Sequence, residues 1–172
     1  TLNEPWCSSY LSYVGGEHAP GRQEPAAGLA ASHHLLLAHG LAVQELRSRD
    51  ASLQLGITLN LSVVDPVDPT SEGDLDAARR IDGQFNRWFL DPIFRGSYPE
   101  DVLQDVAGLG FDEVVKPGDL EITSTPIDAL GVNYYHGESV SSRPTTHKKR
   151  SDAPSERPKR SPFVNAEGVH WH

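Results

Sequence analysis

The sequence predicts an α/β fold of parallel strands joined by helices, and three observations carry that expectation. Extended segments end at Asn3-Glu4-Pro5, before Asp65-Pro66 and at Tyr135. Helical patterns fill both intervals between them. Connections of this length are crossovers rather than hairpin turns, which implies parallel pairing with right-handed crossings. No internal repeat points to a solenoid.

Each element has its own signal. The first strand contributes only its end, because Pro5 offers no N–H to a ladder and biases Glu4 toward extended geometry. Glycines, Pro20 and Pro25 punctuate a loop after it. Residues 26 to about 49 then read as a helix, with Leu29, Leu36 and Val43 on one seven-residue stripe, and residues 50–52 break it. Residues 53–64 alternate apolar and small polar side chains, as a buried strand does. Glu72 and Asp74 open a helical pattern that runs to about Phe94. A Gly-Ser-Tyr-Pro break follows, and Pro99-Glu100-Asp101 reads as the first turn of another helix. Residues 127–135 supply the third strand.

Composition narrows the function classes. The 172 residues contain no Met and a single Cys, and a whole barrel of such units needs about 250 residues, so the chain is expected to be part of a longer protein. Cys7 alone excludes an internal disulfide and a Cys-based zinc site, in keeping with a cytoplasmic enzyme. No run approaches the roughly 18 apolar residues of a membrane span, so no membrane partner is expected. Net charge is −9, unevenly distributed. Residues 141–162 hold seven of the fifteen Lys and Arg against Asp152 and Glu156, giving +5 there and −14 elsewhere. That acidic body argues against nucleic acid as a partner and suits a cation-like transition state. The basic stretch contains four prolines in addition to its charges but no aromatic residue for base stacking, and reads as a solvated loop.

Two clusters carry chemistry. Glu4 stands where a strand must stop, and in a barrel of parallel strands that edge is where catalytic groups gather. Asn3 beside it offers both a donor and an acceptor to a sugar hydroxyl. The same residues also suit a plain strand-terminating turn. Adjacent strand residues point to opposite faces, so both side chains reach one cleft only if the strand ends or bulges there. On the third strand Asn133 and Tyr135 share a face and Tyr134 takes the other, as substrate contacts or as a layer of core aromatics.

Thr1-Leu2-Asn3-Glu4-Pro5-Trp6-Cys7 resembles the acid/base signature of glycoside hydrolase family 1, the β-glucosidase family of (β/α)8 barrels. Further segments resemble it in the same order, among them residues 16–21, 31–34, 56–60, 86–92, 96–99 and 130–135. The resemblance runs from residue 1 to about residue 140. It implies the middle of a (β/α)8 TIM barrel, about three strands with their helices, with a surface loop over residues 141–162 and the next barrel segment starting at residues 163–172.

The resemblance also implies roles. Glu4 becomes the general acid/base and Asn3 the partner of the sugar's 2-hydroxyl. Tyr135 would orient the nucleophilic carboxylate, and Asn133 would lie near the same sugar. Trp6, Leu11 and His18 would line the aglycone side. The substrate is then a β-glucoside or short β-linked oligosaccharide, with no cofactor. Glu4 is expected to be kept protonated by its surroundings and by a second carboxylate. That second group belongs to a Thr-Glu-Asn-Gly type motif that does not occur in the 172 residues, and the motif around Glu138 does not match it. The chain alone is therefore expected to be inactive, with open sheet edges. A phospho-β-glycosidase and a non-catalytic sugar-binding barrel are the alternatives. His33, His34 and His39 lack the i, i+4 spacing of a helical zinc site and read as packing or solvated residues. His136 departs from the family's usual small polar residue.

Overall fold

The computed structural model describes residues 1–144 and 162–172, so most of the basic stretch lies outside the described residues. Strands β1 (Gly56–Asn60) and β3 (Ala129–Asn133) pair in parallel, with Asn60 opposite Asn133. Residues 2–4 form a third, shorter line along β1. Thr58 donates its N–H to the Leu2 carbonyl at 3.0 Å, and Glu4 donates its N–H to the Thr58 carbonyl at 2.9 Å. The expected parallel α/β arrangement is thus present, and the predicted strand over residues 53–64 is shorter than expected. Its last residue instead opens β2 (Val64–Pro66), which joins β4 (Glu138–Ser141) in parallel, and β4 pairs antiparallel with β5 (His170–Trp171). That second sheet had no sequence signal, since segments of two to four residues are too short to show a period.

Helix α1 (Pro25–Arg49) begins on a proline whose missing N–H would be unpaired anyway and ends with Arg47 and Arg49 against the negative end of its dipole. Leu29, Leu36 and Val43, the predicted stripe, are fully buried. In length and mean composition this helix matches a membrane span, contrary to the reading that no segment did. Within this chain its apolar stripe faces a packed interior, and Ser32 accepts the Trp88 indole N–H at 2.8 Å there.

Helix α2 (Glu72–Asp82) starts on Ser71, whose hydroxyl accepts the Asp74 N–H. The chain continues through a π-helical turn, Gly83–Arg87, into α3 (Trp88–Arg95), which stops at Gly96 in the left-handed region. Two side-chain amides of the π-turn clamp loops at two points each. Asn86 donates to the Ser62 carbonyl at 2.7 Å and accepts the Ser62 N–H at 3.1 Å, while Gln84 does the same to Val164 at 2.6 and 2.8 Å. Short helices α4 (Glu100–Asp105), α5 (Phe111–Val114) and α6 (Asp119–Thr123) follow. Asp101 receives both arms of the Arg87 guanidinium at 2.7 and 2.8 Å and one from Arg79 at 2.9 Å, tying α4 to the preceding helices.

Residues after Pro5 correct the sequence reading, which expected a loop. They turn directly into a π-helix, Cys7–Val14, whose Tyr10 and Val14 are buried beside Leu29 and Leu36 of α1. A single large core forms between these helices, β1 and α3, and a smaller one of Ala77, Ala78, Ile81, Val140 and Val169 lies under the second sheet. His33 and His39 are packing residues, as expected, and His34 is exposed. The His33 ring is fully buried and bridges the Tyr98 hydroxyl and the Asp119 carboxylate, both at 3.0 Å.

Helices α1 and α6 cross at Gly40, where an added β-carbon would stand 2.0 Å from the Ile122 carbonyl oxygen. Gly40→Ala is therefore expected to lower stability by about 1–3 kcal/mol, outweighing the roughly 1 kcal/mol that alanine gains in a helix interior. Urea unfolding of the whole protein reads this directly, and an unchanged or raised midpoint would contradict the close crossing.

Candidate active site

The site forms where three parallel lines of backbone end at one edge. Asn3 still pairs with β1, but Glu4 has a φ of 50° and leaves the strand at once. This resolves the difficulty of two adjacent residues reaching one cleft. It also corrects the expectation that Pro5 holds Glu4 extended. The N–H of Glu4 is fixed to Thr58 while its carbonyl accepts the Cys7 N–H at 3.0 Å and opens the following helix. The left-handed turn reconciles those two obligations, at a strain of order 1–3 kcal/mol.

The carboxylate of Glu4 is the meeting point. Its Oε1 accepts the Tyr135 hydroxyl at 2.6 Å and the Asn133 amide at 2.8 Å, and that same Asn133 amide lies 3.1 Å from the Asn3 side-chain oxygen. Four of the residues singled out in the sequence, Asn3, Glu4, Asn133 and Tyr135, are therefore brought together. Residues 2–4 and β3 lie on opposite sides of β1, about 9–10 Å apart at ladder spacing. Side chains two strands apart touch only if they lean toward each other over the end of the strand between them.

Among the described residues, Oε2 of Glu4 has one hydrogen-bond partner, the Cys7 thiol at 3.4 Å. The hydrogen bond from Tyr135 is the main cause that holds the Glu4 carboxyl below its ordinary value, Asn133 and Cys7 add to it, and partial burial opposes them. Within this chain donors surround Glu4, and among the described residues no second carboxylate stands beside it; the expectation that Glu4 is held protonated rests on such a group. In this chain the Tyr135 hydroxyl serves Glu4, which pushes its own ionisation up. Burial, and then Glu4, push the Cys7 thiol up to about 12, so it remains a protonated donor.

The remaining sequence candidates lie elsewhere. Trp6 is 7 % exposed and packs against Phe85 at 4.6 Å and Phe163 at 5.5 Å, which places its ring in the core rather than open to a sugar. Leu11 is half-buried against the same core, and its carbonyl accepts the N–H groups of Glu17 and His18. His18 is exposed in the following turn. The Glu138 carboxylate lies 3.1 Å from the His136 ring Nδ1. Cys7 was missed as a neighbour of Glu4; the signal was its i+3 position in a helix that the sequence reading took for a loop. Among the described residues, no group of three His, Cys, Asp or Glu side chains is placed to hold a metal ion.

The sequence profile described as Glycosyl hydrolase family 1 matches residues 1–172. A bifunctional beta-D-glucosidase/beta-D-fucosidase of Bifidobacterium breve is 46 % identical over 136 residues, which is 78 % of this chain and 28 % of that protein. Thermostable beta-glucosidase B of Thermobispora bispora is 48 % identical over 136 residues, 78 % of this chain and 27 % of that protein. The crystal structure of a psychrophilic beta-glucosidase from Micrococcus antarcticus superposes with a TM-score of 0.93 at 55 % identity, covering 99 % of this chain and 36 % of that one. The chain thus spans about a third of the length of the proteins that it matches.

A lowered carboxyl contributes stability that is complete above its unfolded value, near 4.5, and is lost as pH falls through its native value. Tyr135→Phe removes the strongest donor, so the Glu4 titration is expected to move up toward 4.5. Carbon-13 NMR of glutamate carboxyls in this chain measures it; an unmoved midpoint would show that Tyr135 is not the cause.

Proposed function

Because the chain belongs to glycosyl hydrolase family 1, we propose that the whole protein hydrolyses terminal β-D-glucosides with retention of configuration, and that Glu4 is its general acid/base. The observation that supports this reading most is the position of Glu4. A carboxyl group at the ends of parallel strands is reached from across β1 by Asn133 and Tyr135. On this reading the three parallel lines are an arc of a (β/α)8 barrel, and the leaning of the side chains follows the concave interior of such an arc.

In the first step Glu4 gives its proton to the departing glycosidic oxygen while a second carboxylate attacks the anomeric carbon. The bond to the aglycone breaks and a glycosyl ester forms. In the second step the Glu4 carboxylate takes a proton from water, whose oxygen attacks the anomeric carbon; the bond to the second carboxylate breaks, and the sugar leaves with its original configuration. The second carboxylate belongs to a part of the protein outside this chain, about 5–5.5 Å from Glu4 in a retaining enzyme. Its arrival changes the electrostatics of Glu4 in two ways. Its negative charge raises the Glu4 value, and the Tyr135 hydroxyl, now within reach of two carboxylates, turns to the one that stays ionised. Glu4 then carries a proton at the start of the first step, and the isolated chain, without the second carboxylate, hydrolyses nothing. Asn3 is the partner of the sugar's 2-hydroxyl, a contact that strengthens as charge develops at the neighbouring carbon.

Glu4→Gln in the whole protein is expected to lower kcat/KM on alkyl glucosides by about 10²–10⁴-fold, the usual contribution of a positioned proton donor. Glycosyl-ester formation from dinitrophenyl glucoside, whose leaving group needs no proton, should persist as a pre-steady-state burst. Equal losses on both substrates would remove Glu4 from the acid role.

A further inference from the structure

A second cavity shares no residue with the Glu4 cluster. It has a volume of about 540 Å³, opens to the surface and is lined by the consecutive segment that carries α4, α5 and α6. Its floor is apolar, formed by buried Tyr98, Val106 and Phe111, with half-buried Val115 and Leu120 also lining it. The rings of Tyr98 and Phe111 meet edge-on with centroids 5.0 Å apart, and Trp88 packs against both at 4.4 and 4.7 Å. The Tyr98 hydroxyl is already bonded to the buried His33 ring, so it is committed to the protein interior.

The exposed rim includes Leu103, Ala107 and Asp112. Asp112 supplies the cavity's one charge, and no side-chain hydrogen bond or ion pair engages its carboxylate among the described residues. Lys116, four residues on, directs its ammonium to the Glu113 carbonyl instead. The volume lies within the range of small-molecule sites, the floor suits a flat ring, and the rim offers one anion to a cation.

We infer that this cavity binds a small aromatic molecule bearing an ammonium group, its ring on the Tyr98–Phe111 floor and its charge at Asp112. Tryptamine and indole, titrated separately into the whole protein by calorimetry, test this. Tryptamine should bind about five- to tenfold more tightly than indole. Asp112→Asn should abolish that difference, and Ala107→Trp, which fills the mouth, should abolish binding of both while leaving glucoside hydrolysis unchanged. Leu103→Trp serves the same purpose if Ala107→Trp does not fold. Binding should persist in saturating glucose, which separates this cavity from the Glu4 cleft. Failure of both compounds to bind at millimolar concentration would overturn the inference. So would an advantage of tryptamine that survives Asp112→Asn, or binding lost to glucose.

Discussion

Two backbone hydrogen bonds at Thr58 fix the rest of the site. Thr58 donates to Leu2 and accepts from Glu4, so the residue before Pro5 is held at the level of β1 while the chain must turn at once into a helix. The left-handed backbone of Glu4 is the consequence, and it projects the carboxyl group past the strand ends. The same strand carries the other half of the arrangement. Pairing of Gly56–Asn60 with Ala129–Asn133 sets the height of Asn133, and Tyr135 follows two residues later. Register along β1 therefore determines whether the donors meet the acid.

The surroundings keep this edge in place. The Asn86 amide clamps Ser62 just past the end of β1, and the helix after Pro5 buries Trp6 and Tyr10 under α1 and α3. The helices that carry the clamps are themselves joined to α4 by the Arg79–Asp101–Arg87 ion cluster. Glu4 thus rests on a rigid floor although its own carboxylate stands at an open edge.

Much of this was legible in the sequence because it depends on local chemistry. The stripe Leu29, Leu36 and Val43 marked the buried face of α1, Ser71 with Glu72 and Asp74 marked a helix start, and Asn3-Glu4-Pro5 marked a strand end. What could not be read depends on partners distant in the chain. The second sheet consists of short segments that pair with one another and pack on α2, and the left-handed Glu4 reflects a conflict between Thr58 and the helix that a propensity for the residue before proline does not contain. The family resemblance implies Trp6 on the aglycone side, whereas in this chain its ring packs against those of Phe85 and Phe163, far away in sequence. The lowered value of the Glu4 carboxyl has the same kind of origin. A carboxyl takes its value from its neighbours, and among the described residues the chain supplies Tyr135, Asn133 and Cys7 as donors without a second acid.

The role of Glu4 is tested most directly by replacing it with alanine in the whole protein and supplying azide during hydrolysis of dinitrophenyl β-glucoside. If Glu4 is the acid/base, azide enters the space that it leaves, attacks the glycosyl ester from the face where water would have attacked, and releases β-glucosyl azide. Formation of α-glucosyl azide would mean that Glu4 is instead the nucleophile, and undiminished hydrolysis without azide would remove it from the chemistry altogether.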